Sequence, residues 1–501
     1  MVDYRLASVG LLLFVYLLIS SLRNGSTRKL DHIPTAGYTL PLLSYFSSIR
    51  YLLDVRKVIS ESMAKWPASL FKVPSVLEWI VVATQPTHIE EICKAPENVL
   101  SGMIAIEDSL QTRYTLGPHI AENPYHIPVI RTQLTRSLPL LVPEVHAELI
   151  EAFEENIPRT TEWIKLKALD SVLKVVSRAS NRVFVGVPLC KNPEWNELSI
   201  QFTIDVVQTA NILRFLPSFM RSSINKLISK VEIRTEKALL MLRSTIAQRR
   251  RERQEKGNDD TGRQADLLSW LMDAAKGHET EDWYLTSRML TVQFSAIHTS
   301  STAFTQALYY LATYPEYTGP LREEVEEVTF REGWTKAALD QMPRVDSFIK
   351  ESQRLKPLLI NAMERVAVQD YRFSDGTTVP VGTKLTVNLN SHTSELFFEN
   401  PTTFDGFRFV QLKERRLSSG NTEKRFDMVT TGVDSLAFGH GKHACPGRYF
   451  AASELKLMLS YVVMNYDVRT VKQGVRPEDL YVVDMRVPNP TAELLFRRRK
   501  E

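Results

Sequence analysis

The sequence predicts a mostly α-helical protein with small β-sheets, in which one large domain follows an N-terminal transmembrane helix. Three observations support this fold class. Helical patterning runs through most of residues 50–360, short stretches at 79–82 and 384–387 have the character of strands, and an uncharged apolar block lies near the N-terminus. A further stretch at 376–382, punctuated by Pro380 and Gly382, predicts a hairpin.

The composition is that of a folded protein. The chain has 501 residues, of which 44% are hydrophobic and 24% are charged, so neither a disordered chain nor a multi-span membrane protein is expected. Its 62 basic and 58 acidic residues give a net charge of +4, which leaves no global electrostatic footprint for nucleic acid binding. The length allows about three ordinary domains or one large domain.

The cysteines are few and odd in number. Cys93, Cys190 and Cys445 are the three in the sequence, so no disulfide framework is expected and a reducing compartment is favoured. Each of them is either a core residue or a reactive ligand or nucleophile, and its neighbours in the sequence must decide between these roles.

The N-terminal block at residues 6–22 contains no charged side chain. Its length is close to the lower limit of about 17 residues for a membrane-spanning helix, and a cleaved signal peptide is the alternative interpretation. Because Arg23, Arg28 and Lys29 follow the block, the positive-inside rule places the rest of the chain on the cytosolic side. We therefore expect residues 1–30 to form a membrane anchor with its flank, and residues 31–501 to form the large domain.

Residues 438–450 concentrate glycines around Cys445, just before a helical run at 449–466. Pro446 suits the first turn of that helix, where its missing N–H costs nothing. A cysteine at a helix N-terminus is favoured as a thiolate, and the surrounding glycines allow a flat or bulky group to approach the backbone.

Three interpretations of this loop are open from the residues alone. It is a tight structural turn, a zinc site that uses His440, His443 and Cys445, or a haem site in which Cys445 is the axial thiolate of the iron. The zinc interpretation lacks further ligands at a useful spacing.

The same loop resembles the haem-binding signature of the cytochrome P-450 monooxygenases. The matching positions are Phe438, Gly441, Cys445 and Gly447, while the basic position that is usually Arg in the family is His443 here. The resemblance implies a cytochrome P-450-like haem domain that binds haem b through the Cys445 thiolate, with His443 next to the haem.

A second motif lies upstream. Glu351 and Arg354 share one face of a helix, and their spacing alone is equally that of a surface ion pair. The pair resembles the Glu-x-x-Arg helix of the family, which is buried and completed by a second arginine. Arg408, within 404–409, stands in that place, so the resemblance implies a structural role for all three residues.

A long helix is predicted at 286–314, a stretch without Pro or Gly, and its middle is polar. Hydroxyls there can simply bond to carbonyls one turn earlier. The stretch is also similar to the oxygen-activation motif of the family, with Ala296 in place of the usual Gly and His298 in place of the usual acid. This similarity implies catalytic roles for Thr299 in oxygen or proton handling and for His298 in proton relay or substrate contact.

Two arginines complete the predicted cofactor contacts. Arg365 lies where the family often binds a haem propionate, and Arg131 matches the basic residue of an early haem-contact helix, although Ile127 replaces the usual Trp. The resemblance covers about residues 31–501, and its motifs are scattered along this length, which favours one large domain. Apolar segments at 103–106, 206–215, 292–297 and 358–363 are expected to line the substrate pocket.

The resemblance implies a monooxygenase that uses O2 and electrons from an NADPH–cytochrome reductase, a flavoprotein, because the chain carries no flavin or nicotinamide motif. The residues of these motifs are similar to those of fungal enzymes of the ent-kaurene oxidase and indole-terpenoid type. This similarity implies a hydrophobic terpenoid substrate in secondary metabolism. The implied location is the endoplasmic reticulum membrane, single-pass, with the catalytic domain facing the cytosol. A haem-thiolate isomerase or dehydratase that does not consume O2, and a membrane-anchored binding protein, are the alternatives.

Overall fold

The protein was analysed as a computed structural model that describes residues 29–67, 69–75, 78–256, 264–420 and 426–499. The predicted transmembrane segment at 6–22 lies outside these residues. Among the described residues, none of the helices combines the length and the apolar character that crossing a bilayer requires.

The described chain is mostly helical, as predicted. Short 3-10 or π turns join several of the helices. The helices are α1 (Pro41–Leu53), α2 (Val55–Lys65), α3 (Pro86–Lys94), α4 (Gly102–Leu110), α5 (Thr112–Thr115), α6 (Pro118–Glu122), α7 (His126–Val129), α8 (Thr135–Asn156), α9 (Ala168–Phe184), α10 (Pro193–Leu213), α11 (Ser218–Ile228), α12 (Val231–Lys256), α13 (Leu267–Ala274), α14 (Asp282–Thr313), α15 (Thr318–Glu332), α16 (Lys336–Asp340), α17 (Pro343–Leu355), α18 (Arg408–Ser418) and α19 (Arg448–Asn465).

The strands are short and form small sheets. They are β1 (Phe71–Pro74), β2 (Trp79–Ala83), β3 (Leu100–Ser101), β4 (Ile164–Lys167), β5 (Asn361–Ala367), β6 (Tyr371–Arg372), β7 (Thr378–Val379), β8 (Lys384–Asn388), β9 (Tyr466–Thr470), β10 (Asp479–Val482), β11 (Met485–Pro488) and β12 (Glu493–Arg498). The largest sheet has the order β1-β2-β8-β5-β3, and smaller sheets pair β4-β12-β9, β6-β7 and β10-β11.

The two strands expected from the sequence are neighbours in the largest sheet, where β2 and β8 pair in parallel. The predicted hairpin at 376–382 is shifted toward the N-terminus, because β6 pairs with β7 around Gly376, whose φ is +90°. Pro380 has no N–H to donate, so it ends β7 instead of lying within the turn.

Helix α14 is the central element of the fold. It begins four residues before the predicted start at 286 and ends before Pro315, because proline disfavours a helical conformation at the residue that precedes it. It packs against α9, α10, α12, α17 and α19. Its C-terminal half from Phe304 onward is buried, so this half belongs to the main hydrophobic core.

Cys93 and Cys190 are core residues. Cys93 lies on α3 and Cys190 lies in a 3-10 turn, and both side chains are buried. Burial raises the pKa of the Cys93 thiol to about 11 and that of Cys190 to about 12, so neither is a thiolate at neutral pH.

The Glu351 carboxylate holds two arginines in the core instead of forming a surface pair. Arg354 donates to it from Nε and Nη2, both at 2.7 Å, and Arg408 donates from Nε at 3.0 Å. The remaining guanidinium N–H groups bond backbone carbonyls, including that of Pro401 at 2.6 Å and that of Glu399 at 2.6 Å. The cluster therefore joins α17 to the start of α18.

We predict that Glu351→Gln lowers the free energy of unfolding by about 3–5 kcal/mol, because removing one charge from a buried ion-pair cluster leaves the others uncompensated. Urea denaturation measures the loss. Glu327→Gln is the matched control, since Glu327 is 76% exposed in its pair with Arg331 and should matter little. Equal effects of the two substitutions would contradict the structural role of Glu351.

Candidate active site around Cys445

The loop that precedes α19 folds back on itself and fixes Cys445. The Cys445 N–H donates to the Phe438 carbonyl at 2.8 Å, and Arg448 Nη1 donates to the Cys445 carbonyl at 3.0 Å. The helix predicted at 449–466 forms as α19, with Gly447 at its N-cap. These contacts place the sulfur immediately before the first turn of a helix.

Gly441 is required by the geometry of this loop. Its φ is +73°, and a Cβ there would lie 3.0 Å from the Cys93 carbonyl oxygen. A Cβ on Gly447 would meet only Ile130, at an ordinary 3.8 Å. Gly447 instead forms part of a cavity wall, so a side chain there would enter the space in front of the sulfur.

The Cys445 sulfur lies in a weakly polar environment. Burial raises the pKa of its thiol, and this rise is opposed by backbone N–H groups of Gly447 and Arg448 and by the Arg448 charge. An electrophile such as a metal ion would therefore be needed to hold the thiolate at neutral pH.

The zinc interpretation of the loop is wrong. His440 Nδ1 contacts Thr431 Oγ1 at 3.0 Å, and His443 Nε2 contacts Glu97 at 3.1 Å, so the two imidazoles are engaged elsewhere. Within the described residues, no group of three His, Cys, Asp or Glu side chains is arranged to hold a metal ion.

Two cavities meet at Cys445. The first cavity has a volume of about 450 Å³ and the second about 460 Å³, and Phe438 and Cys445 belong to the walls of both. All four segments expected to line a pocket contribute. The residues are Met103, Ile106, Val292, Phe294, Ser295 and Ala296 in the first cavity, and Val207, Ala210, Asn211, Leu358, Leu359 and Met363 in the second.

Thr299 lies on the wall of the first cavity, together with Cys445. Its hydroxyl is within hydrogen-bonding distance of two carbonyls of α14, those of Ser295 at 2.9 Å and Ala296 at 3.1 Å. The hydroxyl can accept a further hydrogen bond from a ligand in the cavity.

His298 does not line either cavity. Its Nε2 lies 3.0 Å from the Ile200 carbonyl of α10, to which a neutral imidazole can donate. Burial lowers its pKa, so the ring is neutral at pH 7. The structure thus directs this side chain at a backbone carbonyl, away from the position where a proton relay would act.

Arg365 supplies a buried cation to the second cavity. It follows an irregularity in β5 where Met363 has a φ of +56°. Its Nη1 donates to the Glu364 carbonyl at 2.8 Å, whereas Nε and Nη2 are buried and have no partner among the described residues. Two unsatisfied N–H groups on a buried cation are expected to donate hydrogen bonds to an anionic acceptor.

His443 and Arg131 lie in the same region. His443 is on the wall of the second cavity, and the pKa of its imidazole is lowered by burial and by the Arg365 charge. Arg131 is exposed, donates from Nη2 to the Lys442 carbonyl at 3.3 Å, and also lowers the pKa of His443. The bond of His443 to Glu97 has no signal in the sequence, because the two residues are far apart along the chain.

Glu454 is a functional candidate that sequence reasoning missed. It is buried on α19, and its Oε1 accepts a hydrogen bond from Ser180 at 2.7 Å. Burial raises its pKa to about 7, and the hydroxyl of Ser300, on the wall of the first cavity, moderates the rise. The sequence does contain a signal for this residue, because a carboxyl side chain stands among apolar helix residues nine positions after Cys445.

Known proteins resemble this chain over most of its length. The family model described as cytochrome P-450 matches residues 58–496. The chain is 38% identical to cytochrome P-450 monooxygenase 151 of Postia placenta, covering 93% of this chain and 94% of that one. It is 30% identical to an ent-kaurene oxidase of Gibberella fujikuroi, covering 96% and 95%.

The fold is also that of a solved structure, the retinoic acid-bound cyanobacterial CYP120A1, with a TM-score of 0.68, 17% identity and coverage of 93% of this chain and 99% of the other. The chain therefore belongs to the cytochrome P-450 family, and it is a monooxygenase that uses a haem whose iron is bound by a thiolate. The interpretation as a non-enzymatic binding protein is wrong on this evidence.

The residues present fit the haem that the family requires. The cavity walls are largely apolar and include one cysteine sulfur, and the unsatisfied N–H groups of Arg365 are suited to a propionate. Arg365 and His443 line the second cavity, and the charge of Arg131 acts on His443 from nearby.

The raised pKa of Glu454 predicts a pH dependence of stability. The unfolded acid ionises above its ordinary pKa of 4.5 and the folded one only above about 7, so the contribution of Glu454 to the free energy of unfolding falls as the pH rises through that window. Glu454→Gln removes this contribution, so the free energy of unfolding of the variant relative to wild type should rise by up to roughly 3 kcal/mol from low to high pH.

Urea denaturation at pH 5 and pH 8 checks this prediction. Glu326→Gln is the control, because Glu326 is a largely exposed acid on α15, and its difference from wild type should be the same at both pH values. A difference between Glu454→Gln and wild type that does not change with pH would show that Glu454 is not the titrating group.

Proposed function

We propose that Cys445 is the axial ligand of the haem iron and that the protein inserts one oxygen atom of O2 into a C–H bond of a hydrophobic, terpenoid or indole-terpenoid, intermediate of fungal secondary metabolism. The observation that carries the proposal is the position of the Cys445 sulfur in the wall shared by two largely apolar cavities. When bound, the haem supplies the activation of O2.

The proposed cofactor contacts follow from the side chains around the cavities. Arg365 would bind a propionate through its unsatisfied Nε and Nη2, His443 would contribute a hydrogen bond, and Arg131 would contribute positive charge. Phe438 and Gly447 would shape the walls next to the sulfur, while Gly441 allows the loop to pass Cys93.

Thr299 is proposed to hold a proton at its Oγ1, where the hydroxyl is presented to the first cavity. His298 is assigned a different role from the one that its place in the motif predicts. Through its contact with the Ile200 carbonyl it positions α14 against α10. The histidine in the acid position was the reason to consider an isomerase or dehydratase that does not consume O2. Because His298 points away from the cavities, that reason no longer holds.

The domain division, residues 1–30 as anchor and 31–501 as catalytic domain, remains part of the proposal. Helix α1 supports contact with a membrane, because Leu43, Phe46, Ile49 and Leu53 form an exposed apolar face at helical spacing. We place the protein in the endoplasmic reticulum membrane, single-pass, facing the cytosol, where an NADPH–cytochrome reductase would supply electrons.

Incubation with a panel of diterpenes that includes both hydrocarbons, such as ent-kaurene, and hydroxylated compounds tests the reaction, in the presence of NADPH, a fungal NADPH–cytochrome reductase and oxygen-18 gas. The expected product carries one labelled oxygen atom and requires NADPH. A product of unchanged mass that forms without NADPH and O2 would instead establish an isomerase.

The role of Thr299 is tested in the same assay. Thr299→Ala should divert electrons to peroxide and lower the product formed per NADPH, because a hydroxyl at the cavity wall is lost. Thr305→Ala removes a buried hydroxyl of the same helix that does not line the first cavity, and it should behave as wild type.

A further inference from the structure

The second cavity has a polar corner within otherwise largely apolar walls. It is formed where the C-terminal end of α10, strand β5 and the β10–β11 turn meet. Its members are Ser109, Asn211, Arg214, Asn361, Glu364 and Asp484.

Asp484 is a buried acid in this corner. It lies in the turn between β10 and β11, next to Val483, whose φ is +56°. The turn is fixed because the Ile360 N–H donates to the Asp484 carbonyl at 2.8 Å. The Asp484 carboxyl accepts a hydrogen bond from its own backbone N–H, and among the described residues no other side chain donates to it. Burial and the nearby Glu364 raise its pKa to about 6.

Arg214 supplies the opposite charge. Its positive charge lowers the pKa of Asp484, so the two groups act on each other, yet they form no ion pair. The recorded contact of the guanidinium is with the ring of Phe215, at 5.6 Å from its centroid. A donor and an acceptor therefore face one cavity without being joined.

Ser109, Glu364 and Asn361 already have partners. Glu364 accepts a hydrogen bond from Ser109, and Asn361 donates to the Tyr51 hydroxyl at 3.1 Å and accepts from Asn388 at 2.8 Å. Of the charged members, Asp484 and Arg214 have no side-chain hydrogen-bond partner among the described residues.

We propose that the substrate carries a hydroxyl group that binds in the polar corner, donating to Asp484 and accepting from Arg214, while its apolar body lies against the apolar walls next to that corner. This inference rests on the proposed function and narrows its substrate class to neutral, hydroxylated polycyclic compounds. A hydroxyl both donates and accepts, so it satisfies both groups. A hydrocarbon would leave both unpaired, an anion would face two acids, and a cation would face Arg214.

Equilibrium binding of a matched pair of probes tests the proposal. The haem-loaded protein is titrated with 5α-androstan-3β-ol and with 5α-androstane, and the flexible pair dodecan-1-ol and dodecane is titrated in parallel. The change in haem absorption gives each dissociation constant. Wild type should bind an alcohol at least about tenfold more tightly than its hydrocarbon, as expected where a site would otherwise leave buried polar groups unpaired.

Variants assign the preference to the corner. Asp484→Leu and Arg214→Met should each reduce it to near unity, while Asp484→Asn, which keeps a hydrogen-bond acceptor, should retain it. Glu107→Gln is the matched control, because Glu107 is an acid in the wall of the first cavity and lies outside the corner. It should keep the wild-type preference.

Equal binding of alcohols and hydrocarbons by the wild-type protein would overturn the proposal, as would failure of all four probes to bind. Retention of the preference in both Asp484→Leu and Arg214→Met would also overturn it. Haem content and the thiolate spectrum are measured on each sample, so a failure of the proposed function shows as lost haem ligation and is distinguished from a failure of the hydroxyl anchor.

Discussion

The structure depends on keeping one cysteine sulfur out of water at the edge of an apolar cavity. Burial alone disfavours the Cys445 thiolate, and the backbone N–H groups at the start of α19 offset this only in part. The loop can place the sulfur there because Gly441 has no Cβ to clash with the Cys93 carbonyl. The Phe438 carbonyl also accepts a hydrogen bond from the Cys445 N–H. A site of this kind stabilises a metal–thiolate bond, because the bound metal replaces the lost solvation of the charge.

The surrounding helices hold other side chains of the site in fixed positions at the same cavity. Helix α14 packs against α17 and α19, and it presents Thr299 to the cavity that Cys445 also lines. The Glu351 cluster joins α17 to the start of α18, and the buried Glu454 carboxyl lies between the Ser180 and Ser300 hydroxyls. The Glu351 and Glu454 carboxylates are thus buried near the site and accept hydrogen bonds from named side chains.

Local patterns in the sequence predicted much of this arrangement. The helical fold, α14, the Cys445 loop and the shared face of Glu351 and Arg354 all follow from spacing over a few residues. The orientation of His298 did not follow, because the Ile200 carbonyl that binds it lies about a hundred residues earlier and competes with the cavity for the imidazole. The partner of His443 and the polar corner of Asp484 and Arg214 likewise arise from contacts between distant segments, which no local pattern encodes.

The most direct test of the account is the absorption spectrum of the dithionite-reduced, carbon monoxide-treated protein for wild type and for Cys93→Ser, Cys190→Ser and Cys445→Ser. Wild type, Cys93→Ser and Cys190→Ser should show the Soret band far to the red of its position with histidine ligation, and Cys445→Ser should lose it. A red-shifted band that persists in Cys445→Ser, or a wild-type protein that takes up no haem, would contradict the account.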